Sequence, residues 1–145
     1  MILAELFDTK YEYEIKDKSK SRFHVTKQIG DREIGIFFYR DQGNIWELIF
    51  AEKLKHNDMW SYKLSGSGSE FKVFAFVSNA LKDFIHDYFA EVDELYCTTD
   101  SSRAKIYEKL LKKVNGFELI RNDKGDKLHP GKIILTLKKV NHEAT

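Results

Sequence analysis

At 145 residues, with 42% hydrophobic and 14% aromatic side chains, the chain has the size and apolar content of one packed domain spanning 1–145 and too many core-forming residues to stay disordered. Its formal net charge is +1, yet residues 101–145 carry eleven Lys or Arg against five Asp or Glu, whereas residues 1–100 carry thirteen against eighteen. No apolar run reaches the ~20 residues of a bilayer-spanning helix, and Met1–Asp8 lacks the basic and apolar regions of a secretion signal, so the expectation is a cytoplasmic chain without a membrane partner.

Tyr11, Tyr13 and Ile15 alternate with Glu12 and Glu14, the two-residue period of a half-buried strand. Phe23, Val25, Lys27 and Ile29 repeat the pattern, Gly30-Asp31 supplies a reversal, and Ile34–Tyr39 forms the next strand. Asp41–Asn44 is a second turn leading to Ile45–Phe50, which completes an antiparallel β-meander. Trp60–Leu64 reads as a further short strand, and Ser65-Gly66-Ser67-Gly68-Ser69 as a turn. Phe71–Val77 is apolar on both faces, as a central strand covered on each side would be. On that reading the Gly-Ser stretch precedes a strand, the reverse of the strand, Gly-rich loop, helix order that binds nucleotide phosphates.

Ser78 or Asn79 then caps a helix whose Leu81, Phe84, Ile85, Tyr88 and Val92 recur at spacings of three and four. Leu95–Cys97 is the next strand; its Cys97, the only cysteine, reads as core packing in a reducing compartment. Asp100 or Ser101 caps a second helix, with Ile106, Leu110 and Val114 as its buried stripe and Lys105, Lys109 and Lys112 on an exposed one. Gly116 ends that helix, and Phe117–Arg121 and Ile133–Val140 are closing strands on either side of the turn-like Asn122–Gly125. The fold class is mixed α/β: an antiparallel β-meander followed by β-α-β-α-β-β around a central mixed sheet, since strand-helix-strand links favour parallel strands.

The run Asp100-Ser101-Ser102-Arg103-Ala104-Lys105-Ile106-Tyr107-Glu108-Lys109-Leu110, with Gly116-Phe117 beyond it, resembles the Asn, Ala, Tyr-Glu-Lys-Leu-Gly-Phe segment of the GNAT superfamily of acyl-CoA-dependent N-acetyltransferases. Tyr107 falls on that family's tyrosine, and the order of elements is similar as well. Leu64–Gly68, Val73–Val77 and Ser102–Tyr107 together look like a group of small bacteriophage proteins with a GNAT-like fold, over about residues 60–140.

The resemblance implies a coenzyme pyrophosphate held on a Gly-rich loop between the central strand and its helix, and a tyrosine that protonates the departing thiolate. Four departures stand against it. Val77–Leu81 contains no Gly; Asp100 occupies the Asn position; Gly116-Phe117 falls about one helical turn late; and Lys16–Arg22 is too short for the two helices the family places between its first strands. The expected function is therefore that of a degenerate, non-acetylating GNAT-like protein, phage-encoded by the narrower resemblance, that binds a macromolecular partner, a protein first, and needs no cofactor.

One alternative is an acyl-CoA-dependent N-acyltransferase, with Tyr107 as general acid, Glu47 or Glu52 as base, and Ser78 and Asn79 at the helix start against acetyl-CoA. A second is a nucleic-acid binder that contacts phosphates through Lys105, Lys109, Lys112 and Lys113 without regard to sequence. Asp100, Ser101, Ser102, Arg103, Lys105 and Lys109 make the best anion- or partner-binding constellation, Arg103 offering a bidentate fork one turn before Tyr107. Equally, Arg103 could bridge to Asp100 or Glu108 and only fix the helix. His24, His56, His86, His129 and His142 lack the spacing or Cys partners of a metal site, so no metal is expected.

Overall fold

The computed structural model describes residues 12–54, 59–61 and 70–140. Strands β1 (Glu14–Lys18), β2 (Arg22–Ile29), β3 (Arg32–Gln42) and β4 (Ile45–Leu54) form the antiparallel meander. Helix α1 (Glu70–Tyr88) follows, then β5 (Glu94–Thr99), helix α2 (Ser101–Leu111), β6 (Phe117–Asn122) and β7 (Ile133–Lys139). Among the described residues the strands make one sheet in the order β1-β2-β3-β4-β5-β7-β6. Its only parallel contact there is between β4 and β5; β7 inserts antiparallel between β5 and β6, which run in the same direction. No described helix is long and apolar enough to cross a membrane.

The meander turns are where Gly and Asn place them: Gly30 and Gly43 adopt left-handed backbone, which costs a residue without Cβ nothing. β1 is displaced toward the C-terminus of the alternating segment and reaches Lys18, and Ser19 N–H closes a short reversal on the Arg22 carbonyl at 2.8 Å. The segment 16–22 is thus strand and tight turn rather than a polar connection. Of the short strand expected at 60–64, Ser61 forms an antiparallel bridge to Glu52, and Tyr62–Leu64 lie outside the described residues, as does the Gly-Ser stretch 65–69.

The largest correction concerns Phe71–Val77, which is not a strand but the first half of α1. Val73, Phe76, Val77, Ala80, Leu81, Phe84 and Tyr88 are buried, while Phe71 is 86% exposed. Those positions follow the helical period through to Tyr88, so one amphipathic helix buries a continuous stripe where a strand would have buried alternate residues. The expected helix start at Ser78 or Asn79 goes with it: both residues sit in the middle of α1. The element order after the meander is α-β-α-β-β, and the Gly-Ser stretch precedes a helix.

Both described helices pack on the sheet face that carries Phe23, Phe38, Trp46, Phe50, Cys97 and Leu135. Phe84 is the hub of α1. Its ring stacks on Phe38 with centroids 4.0 Å apart and meets Trp46 edge-on at 5.0 Å. Tyr88 anchors the end of the helix by donating its hydroxyl to the Ser19 carbonyl at 2.7 Å. Burial raises the Cys97 thiol to about 12, which makes it an inert core residue.

Replacing Phe84 by Ala removes a ring that touches four aromatic neighbours, and such truncations cost about 3–5 kcal/mol. The expected outcome is a large fall in the urea midpoint at unchanged m-value; a shift within experimental error would mean that α1 does not hold the sheet through this residue.

Candidate active site

β4 and β5 pair at only three registers, Ile45 with Glu94, Trp46 with Leu95 and Glu47 with Tyr96. Beyond them the strands part, and β4 is next bridged on that side by Ser61 at Glu52. Its edge over residues 48–51 has no strand partner among the described residues. A cavity of about 250 Å³ fills the fork, lined by Glu47, Leu48, Ile49, Phe50, Thr98 and Tyr107. Side chains alternate along β4, so Leu48 and Phe50 belong to the helix-bearing face, whereas Glu47 and Ile49 belong to the opposite one. The fork therefore brings residues of both faces to one space.

Tyr107 comes from α2, whose start is set by Asp100. The Asp100 carboxylate accepts from Arg103 N–H at 3.2 Å and from Ser102 Oγ at 2.6 Å. The Ser102 hydroxyl, then the Arg103 guanidinium, hold the Asp100 carboxyl below its usual range. From that start the helix buries Ala104, Tyr107, Leu110 and Leu111. Tyr107 is 4% exposed, with its ring centroid 4.5 Å from that of Phe50. The expected stripe of Ile106, Leu110 and Val114 is corrected accordingly: Ile106 is 43% exposed, and the helix is turned by about one residue.

Glu47 is half-buried at the apex of the fork, and burial raises its carboxyl above the ordinary range; His129 opposes the shift and Asp41 adds to it. Its neighbour across the register, Tyr96, donates its hydroxyl to Asp41 at 3.1 Å. Burial first, then Glu47 and Asp41, push the Tyr96 phenol well upward, so it stays protonated. Glu52, the other carboxylate considered as a base, is committed elsewhere: it pairs at 2.8 Å with Arg32, a buried cation.

The remaining residues fall into two groups. Arg103 Nη1 donates to Asp100 at 2.7 Å, so this guanidinium bridges within its own helix start. Ser101, Lys105 and Lys109 are exposed on α2. Ser78 and Asn79, inside α1, line a groove against the end of α2 rather than the fork; their N–H groups lie in helix interior, where they are not free to receive an anion. Leu48–Phe50 and Thr98 are the walls that sequence reasoning did not identify, because strand alternation says nothing about where two paired strands part.

Two solved structures have similar folds. One is an acetyltransferase of the GNAT family from Streptococcus pneumoniae, with 16% identity, a TM-score of 0.48, and coverage of 86% of this chain and 70% of that one. The other is an acetyltransferase from Bacillus subtilis in complex with CoA, with 15% identity, a TM-score of 0.45, and coverage of 97% and 95%. No protein-family model and no curated protein matches the chain.

Because the folded-state pKa of Glu47 is raised, the folded protein holds this proton more tightly than the unfolded chain does. Glu47 therefore lowers stability progressively as pH rises through the window between the ordinary carboxylate pKa and the folded value. Glu47→Gln should flatten that slope and leave the protein more stable than wild type above the window. Urea midpoints measured across acid to neutral pH test this; parallel curves for the two proteins would show that Glu47 is not desolvated.

Proposed function

We propose that the chain is an acyl-CoA-dependent N-acyltransferase in which the fork between β4 and β5 holds the thioester, Tyr107 serves as general acid and Glu47 as general base. The observation that carries this reading is the fork itself: one cavity, lined by a buried tyrosine from α2 and a carboxylate with raised pKa from β4. The edge of β4 over residues 48–51, which has no strand partner among the described residues, supports it, because an extended amide-bearing arm can pair with such an edge as an added strand does.

Sequence order supports it too. The ground for expecting a non-acetylating protein was the lack of Gly at residues 77–81, taken as the link between central strand and helix; those residues lie inside α1. The segment between β4 and α1 contains Gly66 and Gly68, so in sequence order glycines stand between a strand and a helix, the order suited to a pyrophosphate. Asp100 in place of the family Asn, the late Gly116-Phe117, and a tight β1–β2 turn where the family places two helices remain as departures.

In this reading Glu47 takes a proton from the incoming ammonium, so that a neutral amine can attack the thioester carbon. As the carbon–sulfur bond breaks, the Tyr107 hydroxyl gives its proton to the leaving thiolate, and the phenolate recovers one from the second N–H that the attacking nitrogen must lose, while Glu47 passes its proton to solvent. The net change is ammonium plus thioester to amide plus thiol, with one proton released to solvent. The raised pKa of Glu47 suits it as a base that operates nearer neutrality than a solvated carboxylate.

Calorimetric titration with acetyl-CoA should give micromolar affinity, and thiol release should be stimulated by an amine from a panel of polyamines and lysine peptides. Tyr107→Phe should lower kcat by roughly a hundredfold with little change in KM. Absence of heat with acetyl-CoA would end the acyltransferase reading, whereas unchanged turnover in Tyr107→Phe would remove only the assigned acid.

A further inference from the structure

We propose that the outer surface of α2, with the groove it forms against α1, docks an acidic amphipathic segment of a partner protein. The groove has a volume of about 600 Å³ and lies between the middle of α1 and the end of α2. Leu81 and Ile85 form one wall and Leu110 and Val114 the other, with Lys82 and Lys113 on the two banks. It is separate from the fork, whose lining residues it does not share.

The surface of α2 extends this groove along the helix. Ile106, Leu110 and Val114 stand at intervals of four; Leu110 is buried and Val114, just past the end of α2, is half-buried against the core, so Ile106 is the apolar side chain that stands out, with Val114 half-open beyond it. Lys105 and Lys109 stand one position before Ile106 and Leu110 on α2, and Lys112 and Lys113 follow just past its end, so cations flank this edge. All four lysines are exposed. None of them, nor Lys82, makes a side-chain ion pair among the described residues, although Lys16, Lys18, Lys53 and Lys139 each do.

The acids nearby do not neutralise this row. Glu108 on α2 is engaged by Arg121; on α1, Asp83 accepts from Tyr13 and Asp87 from Lys18. What remains is an apolar channel edged by uncompensated positive charge. A complementary occupant carries apolar side chains at intervals of three or four with carboxylates beside them, as an acidic amphipathic helix does.

Two features favour a polypeptide over other anions. Leu81 and Leu110 are already buried, at 2% and 4% exposure, so a small amphiphile would gain little from the groove floor and an occupant must spread along α2. A nucleic-acid backbone would satisfy the lysines but leave Ile106 and Val114 against charge, whereas an acidic helix satisfies both.

The test is fluorescence anisotropy with a labelled peptide of about five helical turns, Glu-rich with Leu at i and i+4. Its scrambled isomer and a labelled DNA duplex serve as competing probes, and all are measured against the full chain. The ordered peptide should bind about tenfold or more tightly than the scrambled one, and Lys109→Glu with Lys113→Glu should weaken it by a similar factor. Ile106→Ser should also weaken it, and amide shifts on titration should centre on residues 106–114 and 78–86. These side chains are exposed, so circular dichroism melting should be unchanged, and acetyl-CoA binding should persist in the variants. Equal binding of ordered and scrambled peptides, tighter binding of the duplex, no binding at all, or wild-type affinity in the charge-reversed variant would each overturn the proposal.

Discussion

The two halves of the sheet are joined through a contact that is short and closed at one end. Only Ile45, Trp46 and Glu47 of β4 pair with β5, and the closed end is reinforced from outside the ladder. The Asn44 carbonyl accepts from Asp93 N–H at 2.8 Å, the Trp46 indole donates to the Glu91 carbonyl at 2.9 Å, and the Lys139 N–H bonds the Asp93 carbonyl at 2.9 Å. Because these bonds hold the base of the fork, the strands can diverge above it without separating the halves. A strand edge without a partner among the described residues would ordinarily be a liability inside a sheet. Here it borders a cavity.

The walls of that cavity are positioned by the core rather than by loops. Trp46 is fully buried at the fork base, and its ring meets Phe84 and Tyr88 edge-on, so the same residue that latches the strands also receives α1. Farther up β4, Phe50 receives Tyr107. Near the end of the strand the buried Arg32 pairs with Glu52 and ties β4 to the start of β3, a pair whose loss would strand a charge in the interior. Rigid elements thus present Tyr107 and Glu47 to the cavity from opposite faces of the sheet.

The meander was legible in the sequence because β1 and β2 alternate and the β2–β3 and β3–β4 turns carry Gly30 and Gly43-Asn44; the start of α2 was legible because Asp100 is a good cap. Phe71–Val77 was not, and the reason is physical. A seven-residue run that is apolar almost throughout has no period of its own, and the buried stripe appears only when Val73, Phe76 and Val77 are read together with Ala80, Leu81 and Phe84. That single misreading set the Gly-Ser stretch before a strand, whereas in sequence order it precedes α1. The rotation of α2 was a subtler matter. Ile106 is more hydrophobic than Ala104 or Tyr107, but the helix faces the sheet by contacts with Phe50 and β7, in which a small Ala and a flat ring fit where a branched side chain was expected. The fork is a tertiary event and left no local mark.

The same rotation links the two proposed surfaces. Ile106 and Tyr107 are consecutive on α2, about 100° apart around its axis, so one points outward along the lysine-flanked edge while the other enters the fork. A partner lying against Ile106, Leu110 and Val114 would press on the helix that sets the Tyr107 hydroxyl, and it would do so through a close-packed layer that transmits small displacements rather than absorbing them. Linkage then demands reciprocity: whatever occupancy of that surface does to the affinity of the fork for its ligand, the ligand must do to the surface. α2 is held by its Asp100 cap, the Glu108–Arg121 ion pair, the Tyr107–Phe50 contact and its packing on β7 and α1, so it is the element of this fold through which the proposed docking surface and the proposed general acid would be coupled.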